Sequence, residues 1–190
     1  MPSIAKFPLL FSLLLITCRV FAMPDASESS ILISIPDQKL AVIQNGMRVA
    51  EYPVSTSRYG AGDRFGSYAT PVGQMEVAQK IGNGFPLGTV FKSRRPTGEV
   101  LTPNAPGRDP IVTRILWLRG TEFATRNAYS RDIYIHGTPV ERLIGRPVSY
   151  GCVRMRSRDV SELFGRVAIG TPVSITKTPL HRAPSPLASN

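Results

Sequence analysis

The sequence predicts a single domain that is mainly β. Short apolar runs recur along its 190 residues, and 16 glycines and 17 prolines separate them, a pattern that favours a β-rich fold over a helical bundle. Hydrophobic residues make up 42% of the chain, more than is typical of disordered proteins. This length suffices for one domain with a sizeable core.

The N-terminus predicts export. Lys6 precedes the apolar run Pro8–Thr17, which is too short to span a membrane, and Val20–Ala22 supplies a small residue for cleavage. We therefore expect residues 1–22 to be a signal peptide and the mature protein to lie in the periplasm or cell envelope. An uncleaved signal is the alternative and would be its only membrane attachment. Lipidation at Cys18 is less favoured, because its neighbours suit that modification poorly.

Residues 23–30 are small and polar and predict a flexible leader, and residues 177–190 predict a disordered, proline-bearing tail. Between them, Asn45-Gly46 joins two apolar runs and is the strongest hairpin signal in the chain. Alternation and β-branched residues predict strands at Ile31–Ile35, Lys39–Gln44, Met47–Ser55, Met75–Lys80, Thr89–Lys92, Ile111–Leu118, Asp132–His136 and Thr171–Thr176.

Two long segments lack regular periodicity. Thr56–Pro71 carries three glycines and three aromatic residues and predicts an ordered, functional loop, and Arg94–Pro110 carries four prolines and predicts a surface excursion. A helix is predicted after Cys152, with Ser157 as its N-cap. Its apolar face comprises Val160, Leu163, Phe164 and Val167.

Cys152 is the candidate nucleophile. Export would leave it as the one cysteine of the mature chain, which excludes an internal disulfide. A buried small hydrophobe and an intermolecular disulfide are the alternatives. A free thiol with a pKa of about 8.5 is mostly protonated at pH 7 and needs a base, and His136, at the end of an apolar run, is the nearest candidate. One histidine and one cysteine are too few ligands for a typical zinc site, so no metal or cofactor is predicted.

The formal net charge of +10 predicts anionic partners. Without Lys6 and Arg19 the balance is 21 basic against 13 acidic residues, which suits cell-wall polymers or outer-leaflet phosphates. Export, and the absence of a basic run interleaved with aromatic residues, argue against nucleic acid. A merely solvated basic surface is the remaining alternative.

The segment from Ile135 to Val160, IHGTPVERLIGRPVSYGCVRMRSRDV, resembles the signature of the L,D-transpeptidase (YkuD-type) catalytic domain. That signature is a His-Gly, a loop, and then Ser/Thr-x-Gly-Cys followed by a hydrophobic residue and Arg or Asn. Upstream segments fit as well, namely Tyr52–Thr56, Thr70–Gly73 and Ile115–Leu118, so the likeness covers residues 31–176. Many members have histidine where this chain has Tyr150.

The resemblance implies a β-sandwich or barrel-like domain with one or two short helices after the cysteine. It also implies that Cys152, deprotonated by His136, attacks the peptide bond after the third residue of a peptidoglycan stem tetrapeptide. D-Alanine leaves, and an amine of a second stem resolves the thioester as a 3→3 cross-link. Water as acceptor would make the protein an L,D-carboxypeptidase, and a protein lysine would make it a lipoprotein-anchoring enzyme.

The resemblance further implies roles for residues around the pair. The Gly137 carbonyl, rather than Asp132, would orient the imidazole. Substrate-binding residues are predicted at Ser149, Tyr150, Gly151, Arg154 and Tyr59, with Arg64, Phe65 and Tyr68 as weaker candidates for the substrate wall, and backbone N–H groups near Gly151 would stabilise the oxyanion. For Arg154 the alternative is an ion pair with Asp159 or Glu162. Trp117 is expected in the core.

Two rival functions remain open at this level. A sortase-like enzyme also combines Cys, His and Arg, but its arginine would lie on a separate strand well after the cysteine. A peptidoglycan-binding module with an inactive site would not need both His136 and Cys152.

Overall fold

The computed structural model describes residues 29–183, which form ten β-strands and one α-helix. The strands are β1 (Ser29–Ser34), β2 (Lys39–Gln44), β3 (Met47–Pro53), β4 (Gly73–Ile81), β5 (Thr89–Lys92), β6 (Arg95–Val100), β7 (Ile111–Gly120), β8 (Tyr134–Gly137), β9 (Val153–Met155) and β10 (Pro172–Thr176). Helix α1 (Ser157–Arg166) follows β9, and short 3-10 turns lie at Phe123–Thr125 and Glu141–Leu143. The predicted mainly β fold with a short helix after Cys152 is confirmed.

Hydrogen bonds join these ten strands into one sheet in the order β3-β2-β1-β10-β4-β7-β5-β6, and β8 branches from β7 to reach β9. The pairs β1–β10 and β8–β9 are parallel, and the others are antiparallel. The predicted hairpin between β2 and β3 is present. Its turn residues Asn45 and Gly46 have φ of 50° and 75°, the left-handed geometry of a type I′ turn.

Strand β7 separates two apolar clusters, because successive side chains of a strand point to opposite faces. Leu116 and Leu118 belong to the main core, which also buries the apolar face of α1. Ile115 and Trp117 face the other way, into a smaller cluster that Cys152 also contacts. Trp117 is buried, as predicted, and stacks on Tyr129 with ring centroids 4.1 Å apart.

Helix α1 begins differently from the prediction. Its N-cap is Arg156, which makes no side-chain capping bond, and Ser157 is the first helical residue. The Ser157 N–H donates to a carboxylate oxygen of Glu141 at 2.8 Å, and the Ser157 hydroxyl accepts from Thr113 at 2.8 Å. A residue distant in sequence therefore caps the helix, which local capping rules cannot detect.

The structure also corrects the predicted boundaries. Ser29 and Ser30 belong to β1 rather than to the leader. Residues 177–183 are ordered rather than a disordered tail: Leu180 is buried against β1 and β2, and its N–H donates to the Asp37 carboxylate at 2.6 Å. The predicted signal peptide, most of the leader and residues 184–190 lie outside the described residues.

Strand β6 was predicted as part of an irregular excursion. It contains Pro96 and Gly98 and is mostly exposed, so it shows neither the alternation nor the composition of a buried strand. It pairs with β5, at the end of the sheet order. Over residues 29–183, no helix combines the length and apolar character needed to cross a bilayer.

Candidate active site

The parallel pairing of β8 with β9 places the two candidate catalytic residues on the same face of the sheet. His136 lies opposite Arg154, and the register continues back to Cys152 beside Tyr134. Since alternate residues share a face, His136, Arg154, Tyr134 and Cys152 all project to the face opposite the main core. From strand spacing and rise, the Cα atoms of Cys152 and His136 are roughly 8 Å apart, a separation that the two side chains can bridge.

His136 is buried and oriented by its own strand. Its Nδ1 lies 2.8 Å from the Gly137 carbonyl oxygen, which fixes the proton on Nδ1 and leaves Nε2 as the basic nitrogen. Burial, with a smaller effect of the Arg154 guanidinium, lowers the pKa of His136 to about 4. The imidazole is therefore neutral at pH 7, the form that can accept a proton.

Cys152 is partly exposed, and its sulfur has two backbone partners. The thiol donates to the Asp132 carbonyl at 3.3 Å, and the Tyr134 N–H donates to the sulfur at 3.4 Å. Desolvation raises the pKa of Cys152 to about 11, although the Tyr134 N–H and the Arg131 and Arg154 charges oppose the rise. The thiol and the imidazole are thus both neutral at rest.

The turn before Cys152 is held by Ser149, one of the predicted substrate contacts. Ser149 is 1% exposed, and its hydroxyl donates to the Cys152 carbonyl at 2.6 Å. Buried there, its hydroxyl stabilises the turn. Gly151 adopts φ of 124°, which disfavours any side chain, and a Cβ there would approach Ile133 at 3.3 Å.

Arg154 pairs with a residue that the sequence analysis missed. Its guanidinium donates to the Asp109 carboxylate, whose other oxygen accepts from the Thr138 hydroxyl. The predicted alternatives, Asp159 and Glu162, are not its partners. Only 9% of the Arg154 side chain is exposed, so its first role is to fix the wall beside His136.

A cavity of about 290 Å³ opens beside the sulfur. It is lined by Phe65, Gly66, Tyr68, Arg131, Ile133, Tyr150 and Cys152. Tyr59 lies just outside it and contacts the rings of both Tyr68 and Tyr150. The glycine-rich loop therefore forms one wall of the site. A larger cavity of about 640 Å³ lies at the start of α1 and has no contact with Cys152.

A buried ion pair anchors that loop. Asp63 and Arg131 are 3.0 Å apart with side chains 7% and 6% exposed, and Arg131 also donates to the carbonyls of Gly62 and Ala69. The Asn127 N–H donates to the second Asp63 oxygen at 2.6 Å. The loop is thus fixed to the segment that leads into β8. No local sequence signal marked Asp63, Asp109 or Arg131, because their partners are distant in the chain.

Comparisons with known proteins agree with this geometry. The family model described as the L,D-transpeptidase catalytic domain matches residues 28–175. YcfS of Escherichia coli (strain K12), a protein named as an L,D-transpeptidase, is 30% identical over 168 residues, which are 86% of this chain and 49% of that protein. YqjB of Bacillus subtilis (strain 168), also named as an L,D-transpeptidase, is 29% identical over 84% of this chain and 83% of its own length.

Among solved structures, an L,D-transpeptidase from Mycobacterium tuberculosis H37Rv superposes with a TM-score of 0.51 and 21% identity, covering 79% of this chain and 58% of that one. This likeness supports the fold. The chain spans about half the length of YcfS, and so corresponds to part of that relative.

Proposed function

We propose that this chain, which belongs to the L,D-transpeptidase catalytic domain family, is an exported cysteine acyltransferase acting on peptidoglycan stem tetrapeptides. The observation that carries the proposal is the parallel β8–β9 register. It sets Cys152 and His136 on one face, with the Nδ1 of the imidazole held by Gly137 and Nε2 free to act as the base.

Acylation begins with a proton transfer. His136 Nε2 removes the thiol proton as the Cys152 sulfur attacks the carbonyl between the third (L) and fourth (D) residues of the stem. Backbone N–H groups around Gly151 stabilise the oxyanion. The C–N bond then breaks, the imidazolium returns its proton to the departing D-alanine amine, and a thioester remains on Cys152.

Transfer to an acceptor completes the cycle. An amine of a second stem attacks the thioester carbonyl, His136 takes its proton, and collapse of the intermediate forms the amide and releases the thiolate, which the imidazolium reprotonates. The product is a 3→3 cross-link. Water in place of the amine gives L,D-carboxypeptidase activity, and a protein lysine gives an anchored protein.

Since His136 is neutral and the Cys152 thiol is protonated at rest, the proposed proton transfer accompanies the attack of the sulfur rather than preceding it. Until a substrate binds, the thiol stays protonated, and a thiol is less readily oxidised than a thiolate. The formal positive charge of the chain suits an anionic cell-wall polymer.

The test uses the purified protein with a disaccharide-tetrapeptide, following D-alanine release and product masses. Cys152→Ala should abolish release, since the nucleophile is lost at almost constant volume. His136→Ala should lower the rate by at least about 100-fold, the size of a general-base contribution. The products identify the acceptor: cross-linked dimers indicate a stem amine, a tripeptide indicates water, and labelled lysine in the product indicates a lysine side chain. D-Alanine release by the Cys152→Ala protein at the unmodified rate would contradict the proposal.

A further inference from the structure

Three tyrosines form an exposed cluster at the mouth of the cavity. Tyr59, Tyr68 and Tyr150 are 50%, 57% and 58% exposed, and we name them the tyrosine platform. Their ring centroids lie 5.6 to 6.1 Å apart in all three pairs. Each ring therefore contacts both others while keeping about half of its surface open to solvent.

The platform is held in place by its surroundings. The Ser57 hydroxyl donates to the Tyr68 carbonyl, and Tyr68 itself takes φ of 55°, an uncommon conformation for an aromatic residue. The Arg58 guanidinium lies 5.0 Å from the centre of the Tyr150 ring and also donates to the Val148 carbonyl at 3.1 Å. A surface that is fixed before binding loses little conformational entropy when a ligand arrives.

The position of the platform connects it to the reaction. Tyr68 and Tyr150 line the same cavity as Cys152, and Tyr59 extends the aromatic surface away from it. Contiguous exposed aromatic surface beside a site usually marks a binding surface. A ligand on this platform would therefore be continuous with the peptide held at the sulfur.

The chemistry of the platform favours a sugar over a charged peptide. It offers flat apolar ring faces edged by phenol hydroxyls. Of the cations beside it, Arg58 already contacts Tyr150 and the Val148 carbonyl, and Arg131 is paired with Asp63. A pyranose ring is similarly amphipathic, with an apolar C–H face and hydroxyls around its edge. Carboxylates and amines of a stem peptide would instead call for free charges.

We propose that the tyrosine platform binds pyranose rings of the glycan strand that carries the donor stem. This inference rests on the proposed function, because it places the glycan by its connection to the peptide at Cys152. The length of the stem peptide is compatible with this placement, because three extended residues, about 10 Å, separate the scissile carbonyl from the glycan. Tyr150 is two residues from Cys152, at most about 7 Å between Cα atoms, and its ring extends farther.

Calorimetry on the Cys152→Ala protein tests the proposal without turnover. The disaccharide-tetrapeptide should bind about tenfold more tightly than the free tetrapeptide. Adding Tyr59→Ala should reduce that advantage threefold or more, since a ring contact of this kind accounts for a several-fold change in affinity. Tyr59→Phe, which keeps the ring, should retain most of it.

Phe123→Ala is the matched control. Phe123 is an aromatic residue that is 79% exposed and lies on the 3-10 turn at Phe123–Thr125, outside the lining of the Cys152 cavity. Its loss should leave the advantage intact. Any of three results would overturn the inference: equal affinity for the two ligands, equal weakening of both by Tyr59→Ala, or no binding of the disaccharide-tetrapeptide. Failure of D-alanine release by the unmodified protein would count against the proposed function and leave these binding results interpretable.

Discussion

Alkylation of Cys152 by iodoacetamide reports directly on the resting protonation state of its thiol. Only the thiolate reacts, so the second-order rate constant follows the fraction of Cys152 that is ionised. The structure gives that thiol a desolvated position and lets it donate to the Asp132 carbonyl, both of which favour the protonated form.

The expected magnitude follows from the pKa. Desolvation raises the pKa of Cys152 from 9.0 to about 11, so at pH 7 its thiolate fraction is about 100-fold lower than that of an ordinary cysteine. The neutral His136, with a pKa of about 4, provides no positive charge to offset this. The rate should therefore rise about tenfold per pH unit from pH 6 to pH 10 without a plateau.

The assay follows adduct formation by mass spectrometry across that pH range. Peptide mapping locates the adduct, and Cys152→Ala provides the blank, because Cys18 is also present in the sequence. The slope is the decisive quantity, since restricted access to the sulfur would slow the reaction equally at every pH. A plateau between pH 6 and pH 8 would show a preformed thiolate–imidazolium pair and refute the reasoning.

Three stability predictions follow from the same structure. The unfolded histidine is protonated below pH 6.5, but the buried His136 is protonated only below about pH 4, so the free energy of unfolding falls by about 3 kcal/mol as the pH decreases over that window. His136→Asn should remove this part of the acid sensitivity, as measured by urea unfolding at pH 7 and pH 4. Asp109→Asn leaves the buried Arg154 guanidinium without its ion pair and should lower the free energy of unfolding by about 2 kcal/mol. Glu99→Gln, at an exposed ion pair, should lower it by less than about 0.5 kcal/mol, and equal losses would refute a stabilising role of the Asp109–Arg154 pair. Leu180→Ala should cost about 2 kcal/mol by leaving a cavity against β1 and β2, and an unchanged urea midpoint would show that residues 177–183 do not dock.

The strands were predictable because their signals are local, and the hypothesis of a Cys152–His136 pair uses local signals as well. Alternation marked the strands, Asn45-Gly46 marked the hairpin, and a histidine ending one apolar run with a cysteine before the next marked the site. The polar partners of the site residues could not be predicted in this way. Asp109 sits in a proline-rich segment without periodicity, and only the folded chain brings it to Arg154, so the acids nearest in sequence were the wrong choice.

The predicted disordered tail is a second case in which a contact distant in the chain could not be predicted from the sequence. Leu180 is one apolar residue among prolines and polar residues, and composition alone indicates disorder there. Its burial depends on a gap left by Leu32, Ala41 and Ile43 on strands far earlier in the chain. Packing between residues so far apart in the chain produces no periodic pattern, so a short stretch of sequence does not reveal it.

The parallel register of β8 and β9 also indicates where the family could diversify. Insertions or deletions within residues 138–148 alter a connection at the rim and leave both strands paired as before. Loss of a single residue between Cys152 and Met155 would instead turn the sulfur toward the main core if Met155 kept its pairing, since every side chain before the deletion then changes face. Length variation among relatives, and any engineered change of acceptor, should therefore concentrate in that connection, while the two short strands keep a constant length.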